Sequence, residues 1–532
     1  MCFTNKFPSD LSDAILSPHL KSAIRNYALL FFGSILFHLV GTWNLPLIDR
    51  DEPRFAEASR EMIERSDYVV PYFNNHFRFD KPPLAYWGQV ASYKIFGEGD
   101  FAARFPSALA AALTAVAIFA WALRLRSPWQ ASAPQARIDG GKLAWWAAII
   151  FTLSLQTFLH AKAAVADMWL VLFVTLAHWA GYELLRDSLD APLQVSLVRS
   201  AVAPYQYRTL WWWVFYLSLA FGFLAKGPIG WMPLLTILST KIFLAEPKLN
   251  YRFQFLFGSL FMLAIVALWG IPALVRTQGQ FFVVGIGRHV VGRSFATMEG
   301  HGANSFGMYL LLLPFYFVTI FISFFPWSIK IPWLAKKLWR HRDEIDNYLI
   351  AGVAISFIIF SLIKTKLPHY TLPAFPLLAL LLARRLTTER SMHFVRNCAL
   401  ASASVYLAIA LVVPPFVARF FPAYGLFQES REYLRPDMEF GAVDFNEPSL
   451  VWYFRSRVSG FLTPLNSSRV ADFMAKAGPR FVIVPTSLAT TLFADHPENW
   501  KMLSTRGFNI AKGKRVELTL VLKSERPNLT IH

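Results

Sequence analysis

Charge is scarce in this chain. Of 532 residues only 16% are Asp, Glu, Lys or Arg while 55% are hydrophobic, and the mean hydropathy is +0.38. That balance excludes an ordinary soluble globular protein, in which about a quarter of residues are charged. Cysteine is nearly absent: Cys2 and Cys398 stand at the extreme N-terminus and in a late apolar run, so no disulfide framework is implied. No H-x-x-H or C-x-x-C spacing accompanies the histidines, which removes the zinc-type motifs. Solenoid-period repeats and low-complexity linkers are also missing. The first apolar run is about 20 residues long and has no small-residue cleavage site, so it reads as a span and not as a cleaved signal peptide.

What the chain has is apolar length. Windows of about 17 to 25 residues predict eleven membrane spans, near 24–46, 100–125, 143–160, 167–186, 209–225, 227–246, 252–275, 306–325, 346–364, 369–386 and 396–417. Two shorter apolar stretches, 82–96 and 326–338, read as interfacial or as span ends, so the expected total is about 11–13 helices. The 49 Phe and 18 Trp suit lipid-facing and interfacial positions. The formal charge of +18 sorts by loop, with Arg124, Lys142, Arg208, Lys241, Lys336, Lys337 and Arg384 all on one side of the predicted topology. By the positive-inside rule that side is cytoplasmic, which makes the basic balance an orientation signal and argues against nucleic-acid binding. The N-terminus is then inside and the C-terminus outside. Beyond 423 the pattern changes to short strand-like runs, "RFVIVP" and "KRVELTLVL", between helix-like stretches. This predicts a membrane domain over 1–423 and a small extracytoplasmic α/β domain over 424–532.

The outer face collects the polar residues that the spans cannot explain. They are Asp51, Glu52 and Arg54; Asp80 and Lys81 in "FDKPPLAYW"; Lys162 and Asp167 in "AKAAVADMW"; Lys226 in "AKGPIG"; His289 and Arg293 in "GIGRHVVGRSF"; His301; and Lys364, Lys366, His369 and Tyr370 in "IKTKLPHYTLP". Each has a structural alternative. Asp49 with Glu52 fits a capping box ahead of Pro53. Lys81 can snorkel, Asp167 can cap its own span, and Lys226-Gly227-Pro228 fits a turn between two spans.

In order, "DEPRFAEASREMIERSDYVVPYFNNHFRFDKPPLAYW", "FGEGDFAARFPSALAA", "AKAAVADMWL", "LAKGPIGWMP", "GRHVVGRSF", "GHGANSFGMYL" and "KTKLPHYTLPAFPLLALLLA" resemble the lipid A aminoarabinose transferase family, grouped with the protein O-mannosyltransferases among GT-C membrane glycosyltransferases. The resemblance covers most of 24–390. It implies transfer of a sugar, with inversion, from a polyprenyl (undecaprenyl) phosphate carrier to lipid A or another acceptor at the outer face of the bacterial inner membrane. Asp51 and Asp167 match the family's outer-face carboxylates, and Asp51 becomes general base for a hydroxyl acceptor or a sugar ligand for a phosphate acceptor. Lys81 is expected to stabilise the leaving lipid phosphate, with Tyr370, Arg54, Lys226 and Arg293 in support and Glu52 as a helix-terminal neighbour. Relatives resemble "EKP" where this chain has "DKP", so Asp80, with His289 or His301, stays open as a ligand to metal or substrate, and no metal or other cofactor is required. A monomer suffices. The rival readings are a hexosyl or mannosyl transferase acting on protein Ser/Thr or a surface glycan, a transporter, and an inactive binding protein. A transporter would place its polar groups near the midplane of repeated halves.

Overall fold

The computed structural model describes residues 18–125, 140–189, 205–245, 248–292, 305–387, 392–495, 497, 499–510 and 512–523. Among these, seven helical stretches are long and apolar enough to cross a membrane, and a bent pair makes an eighth. The protein is a multi-pass membrane protein carrying a small sheet domain. Many large apolar side chains lie exposed on the long helices, among them Leu268, Val275, Val412 and Phe416. So much apolar surface is stable against lipid and not against water.

Four of the eleven expected windows are not single long helices. The segments near 227–246, 306–325 and 369–386 are built of short α and 3-10 pieces. Prolines cause this, since Pro228, Pro233, Pro314, Pro368, Pro373 and Pro376 each remove a backbone donor and favour a helix start. At Lys226–Gly227 the chain reverses: Gly227 has φ +77, Phe223 stacks on Trp231 with centroids 5.0 Å apart, and a Cβ on Gly230 would lie 2.3 Å from the Gly222 carbonyl carbon. The expected turn at Lys226-Gly227-Pro228 is therefore there. The window 143–160 is the bent pair Gly140–Thr152 and Leu155–Ala161, which meet at 67°.

Four helices position the site. Helix α1 (Pro18–Leu39) packs on α4 (Asp100–Arg124), whose buried alanines at 108, 110, 111, 112, 115 and 117 permit close helix approach. Between them lie α2 (Asp51–Arg65) and α3 (Leu84–Phe96), too short to span and joined by a hairpin of β1 (Tyr72–Phe73) and β2 (His76–Phe77). Helix α2 carries Asp51 and Glu52 in its first turn and Arg65 in its last, matching the helix dipole. The capping box is not formed. The N-cap is Arg50 without a side-chain bond, because Asp49 and Glu52 both have tertiary partners.

The sheet domain has strand order β4-β3-β5-β7-β6, with β3 (Glu439–Val443) parallel to β4 (Leu462–Leu465) and to β5 (Arg480–Pro485). The last two, β6 (Trp500–Asn509) and β7 (Lys514–Lys523), complete it antiparallel. Helices Pro422–Ser430 and Pro448–Phe454 cover one face, and Val470–Ala475 and Thr486–Leu492 the other.

This domain docks onto α2. Arg455 pairs with Glu57 and, at 2.7 Å, with Glu64, while Arg60 bridges Glu57 at 2.7 Å and the Trp452 carbonyl at 2.9 Å. Trp452 Nε1 and Tyr453 Oη donate to the Asp100 carboxylate at 2.8 and 2.9 Å. Asp49 accepts from Ser449 N at 2.9 Å and from its hydroxyl at 2.5 Å. Burial pushes the Asp49 carboxyl up to about 7, against those hydrogen bonds and with Glu447 adding to the rise. The folded form thus holds a proton that the unfolded form releases near 3.8. This stabilisation is complete below the ordinary carboxylate range and lost as pH rises through about 7. Thermal melts of the detergent-solubilised chain across that window are expected to show a falling Tm with rising pH, and Asp49→Asn to flatten that limb; an unaltered slope would count against it.

Candidate active site

Five segments converge beside the N-terminus of α2. The hairpin delivers Arg78, Asp80 and Lys81 just ahead of Pro82 and Pro83, which start α3. Asp167 opens α7 (Asp167–Leu189), Lys226 closes the helix Tyr205–Lys226, and the 3-10 turn Pro368–Ala374 brings His369 and Tyr370. With Asp51 and Arg54 these residues line one polar chamber. Its charged side chains are four cations, Arg54, Arg78, Lys81 and Lys226, against three carboxylates, Asp51, Asp80 and Asp167. The surplus positive charge suits a phosphate.

Within the chamber Lys226 Nζ lies 2.5 Å from Asp167 Oδ1 and 5.4 Å from the centre of the Tyr370 ring. His369 Nε2 is 3.9 Å from the same carboxylate oxygen and its ring packs on His160, centroids 4.7 Å apart. Arg78 bridges Asp80 at 3.2 Å and donates from Nε to the Tyr86 hydroxyl at 2.9 Å. Burial raises the Tyr86 hydroxyl above its ordinary range, so it stays protonated and accepts that bond.

Against the chamber lies a second, apolar cavity of about 730 Å³ walled by Leu170, Phe223, Trp231, Val266, Trp269 and Phe281. Six residues line both: Asp80, Lys81, Asp167, Lys226, His369 and Tyr370. A long apolar chain with a charged head would have its head at this shared wall.

The sequence-predicted residues divide. Asp51, Arg54, Asp80, Lys81, Asp167, Lys226 and Tyr370 meet in the chamber. Glu52 does not serve as a ligand there. Its buried carboxylate is held by Arg104 at 2.9 and 2.7 Å and by the backbone N–H groups of Ile48 at 2.7 Å and Ala164 at 2.6 Å. Lys162 and Lys366 are also structural: Lys162 Nζ donates to the carbonyls of Phe37, His38 and Val40 at the end of α1, and Lys366 Nζ to those of Phe360 and Ser361. Arg293 and His301 lie outside the described residues; His289 falls in the π-helix Phe281–Gly292, its side chain outside the description. Sequence reasoning missed Arg78, Tyr86, Arg104 and His160. Arg78 stood two residues ahead of Asp80, a signal within reach.

Among the described residues, one group of histidines and acids has the spacing to share an ion: His160, Asp167 and His369, with ligand atoms within 4.8 Å of one another. Lys226 already neutralises its carboxylate.

The chain matches no protein-family model. It is 28% identical over 409 residues to the undecaprenyl phosphate-α-4-amino-4-deoxy-L-arabinose arabinosyl transferase of Edwardsiella ictaluri, covering 74% of this chain and 66% of that one. With the protein of the same name from Aeromonas salmonicida it shares 31% identity over 360 residues, 66% of this chain and 58% of the relative. The chain thus spans roughly three-fifths to two-thirds of these relatives' length. The crystal structure of ArnT from Cupriavidus metallidurans bound to undecaprenyl phosphate superposes with a TM-score of 0.71 at 17% identity, covering 93% of this chain and 98% of the other. The chain shares the fold of that structure. In sequence the chain is similar to the arabinosyl transferases of that name.

The two adjacent acids at the start of α2 are separable by measurement. Glu52→Ala leaves Arg104 buried without its counter-charge and is expected to cost about 3–5 kcal/mol of stability. Asp51→Asn, at an exposed position, is expected to change stability by under about 0.5 kcal/mol. Equal melting losses in the two variants would refute this division.

Proposed function

We propose that the chain transfers a sugar from undecaprenyl phosphate to lipid A, with 4-amino-4-deoxy-L-arabinose as the donor sugar. The observation that carries this reading is the wall shared by the apolar cavity and the polar chamber. The prenyl chain lies along Phe223, Trp231, Trp269 and Phe281, and its phosphate meets Lys81 at the junction, with Lys226, Arg54 and the Tyr370 hydroxyl in support. A phosphate oxygen of lipid A attacks the anomeric carbon from the opposite side. The bond from that carbon to the carrier phosphate oxygen breaks, undecaprenyl phosphate leaves with the electron pair, and the configuration inverts. The negative charge that grows on the leaving phosphate is stabilised by fixed cations in a site walled by protein. An ionised phosphate nucleophile needs no base, so Asp51 faces the positive charge developing at the anomeric carbon and the sugar's ammonium group. Asp167 holds Lys226 in place.

The site sits on the extracytoplasmic face of the bacterial inner membrane, with the N-terminus cytoplasmic. The support is that the sheet domain and the site share one end of the bundle, whereas Arg124 ends α4 at the other. No divalent ion takes part, since four side chains already supply the positive charge.

Lys81→Met and Asp51→Asn are each expected to lower transfer about 10²–10³-fold with the fold retained. EDTA-treated protein is expected to keep its rate. Mass spectrometry of lipid A from cells with and without the gene should show loss of one aminoarabinose per modified phosphate. A sugar missing from secreted protein alone would refute the acceptor, and full activity in both variants would refute the site.

A further inference from the structure

A third recess, of about 400 Å³, opens between the first-loop hairpin and the sheet domain. It shares Arg78 and Asp80 with the polar chamber, and Phe79 and Asp80 with the apolar cavity. Asp80 lines all three, so the segment Arg78–Lys81 forms part of the wall between them. Its far wall comes from the sheet domain, through Asn446, Leu462 and Pro464.

We infer that this recess is the acceptor subsite and that it binds the saccharide headgroup of a glycolipid, with the sheet domain supplying one of its walls. The inference rests on the transferase reading above. The recess adjoins the chamber through Arg78 and Asp80, so a nucleophile held there lies within reach of a sugar in the chamber. Its lining suits a sugar: Phe77 and Phe79, stacked with centroids 5.5 Å apart, offer an aromatic face, and His76 and Asn446 offer hydrogen-bonding groups.

A peptide acceptor fits less well, for a reason written in the backbone. β4 is the edge of its sheet, where an extended peptide could add a strand. Asn74 blocks that edge, its Nδ2 donating to the Leu462 carbonyl and its Oδ1 accepting from the Leu462 N–H, both at 2.9 Å. Two residues on, the next outward-facing position is Pro464, which has no N–H to give. The edge is closed to strand pairing, whereas a saccharide needs none.

The test uses the full chain in detergent with lipid A as probe. Pro464→benzoylphenylalanine is expected to photocrosslink lipid A several-fold above a control at Phe508, on the opposite edge of the sheet; equal labelling overturns the inference. Asn446→Trp is expected to raise the KM for lipid A about tenfold while the affinity for undecaprenyl phosphate stays unchanged. An unchanged KM, or a parallel loss of carrier affinity, overturns it as well. Crosslinking of a Ser/Thr-rich peptide in preference to lipid A refutes the saccharide assignment. Crosslinking of lipid A at position 464 together with no sugar transfer by the wild-type chain refutes the transferase reading and supports the subsite.

Discussion

One buried ion pair organises the site. Arg104, fully enclosed in the second turn of α4, grips both oxygens of Glu52 and also donates to the carbonyls of Thr42, Leu45 and Pro46. Those carbonyls belong to the irregular chain that follows α1, where no helix or strand partner serves them. Glu52 in turn receives the N–H of Ala164, three residues before Asp167. A single pair therefore fixes the exit of α1, the start of α2, the flank of α4 and the turn into α7. Buried pairs of this kind gain little net stability over apolar packing but are costly to break. What this one provides is position: Asp51 and Asp167 are anchored to the same guanidinium, one directly through the neighbouring residue and one through a short turn.

The same logic governs the sheet domain. Its contact with α2 is made largely of ions and aromatics: Glu57 lies between Arg60 and Arg455, and Arg60 sits 3.9 Å from the centre of the Trp452 ring. Apolar packing alone tolerates sliding, whereas paired charges with full hydrogen bonding tolerate one register. The result is that β4 and the β1–β2 hairpin are held at a defined distance, and the recess between them opens into the chamber.

Much of this was legible in the sequence. Apolar window length located the seven long apolar stretches and the bent pair, and the late change of pattern anticipated a small C-terminal sheet domain. The ordered motifs placed Asp51, Lys81, Asp167, Lys226 and Tyr370 together, and the chamber contains all five. What could not be read is partner choice at long range. Asp49 and Glu52 have the spacing of a capping box, and local rules favour it, yet Ser449 and Arg104 lie 400 and 52 residues away and outcompete the helix end. Arg104 drew no notice, and Lys162 looked like a site cation, until the carbonyls they satisfy were in place. His160 gave no local signal, because its role depends on packing against a residue more than 200 positions later.

The choice between helix capping and chemistry is itself softened by the geometry. Asp51 and Asp167 stand at helix N-termini, where a carboxylate is stabilised by the dipole, and Lys226 stands at a C-terminus, where an ammonium is. A membrane bundle must keep charge out of its hydrocarbon zone, and helix ends at one face are where it is least costly. An enzyme acting on a lipid phosphate needs its charges at that same depth, where the carrier's head lies and its tail runs back between helices. The positions least costly for folding thus coincide with those that the proposed transfer requires. Residues that serve as ordinary helix-end charges can there take on the substrate without any further distortion of the fold.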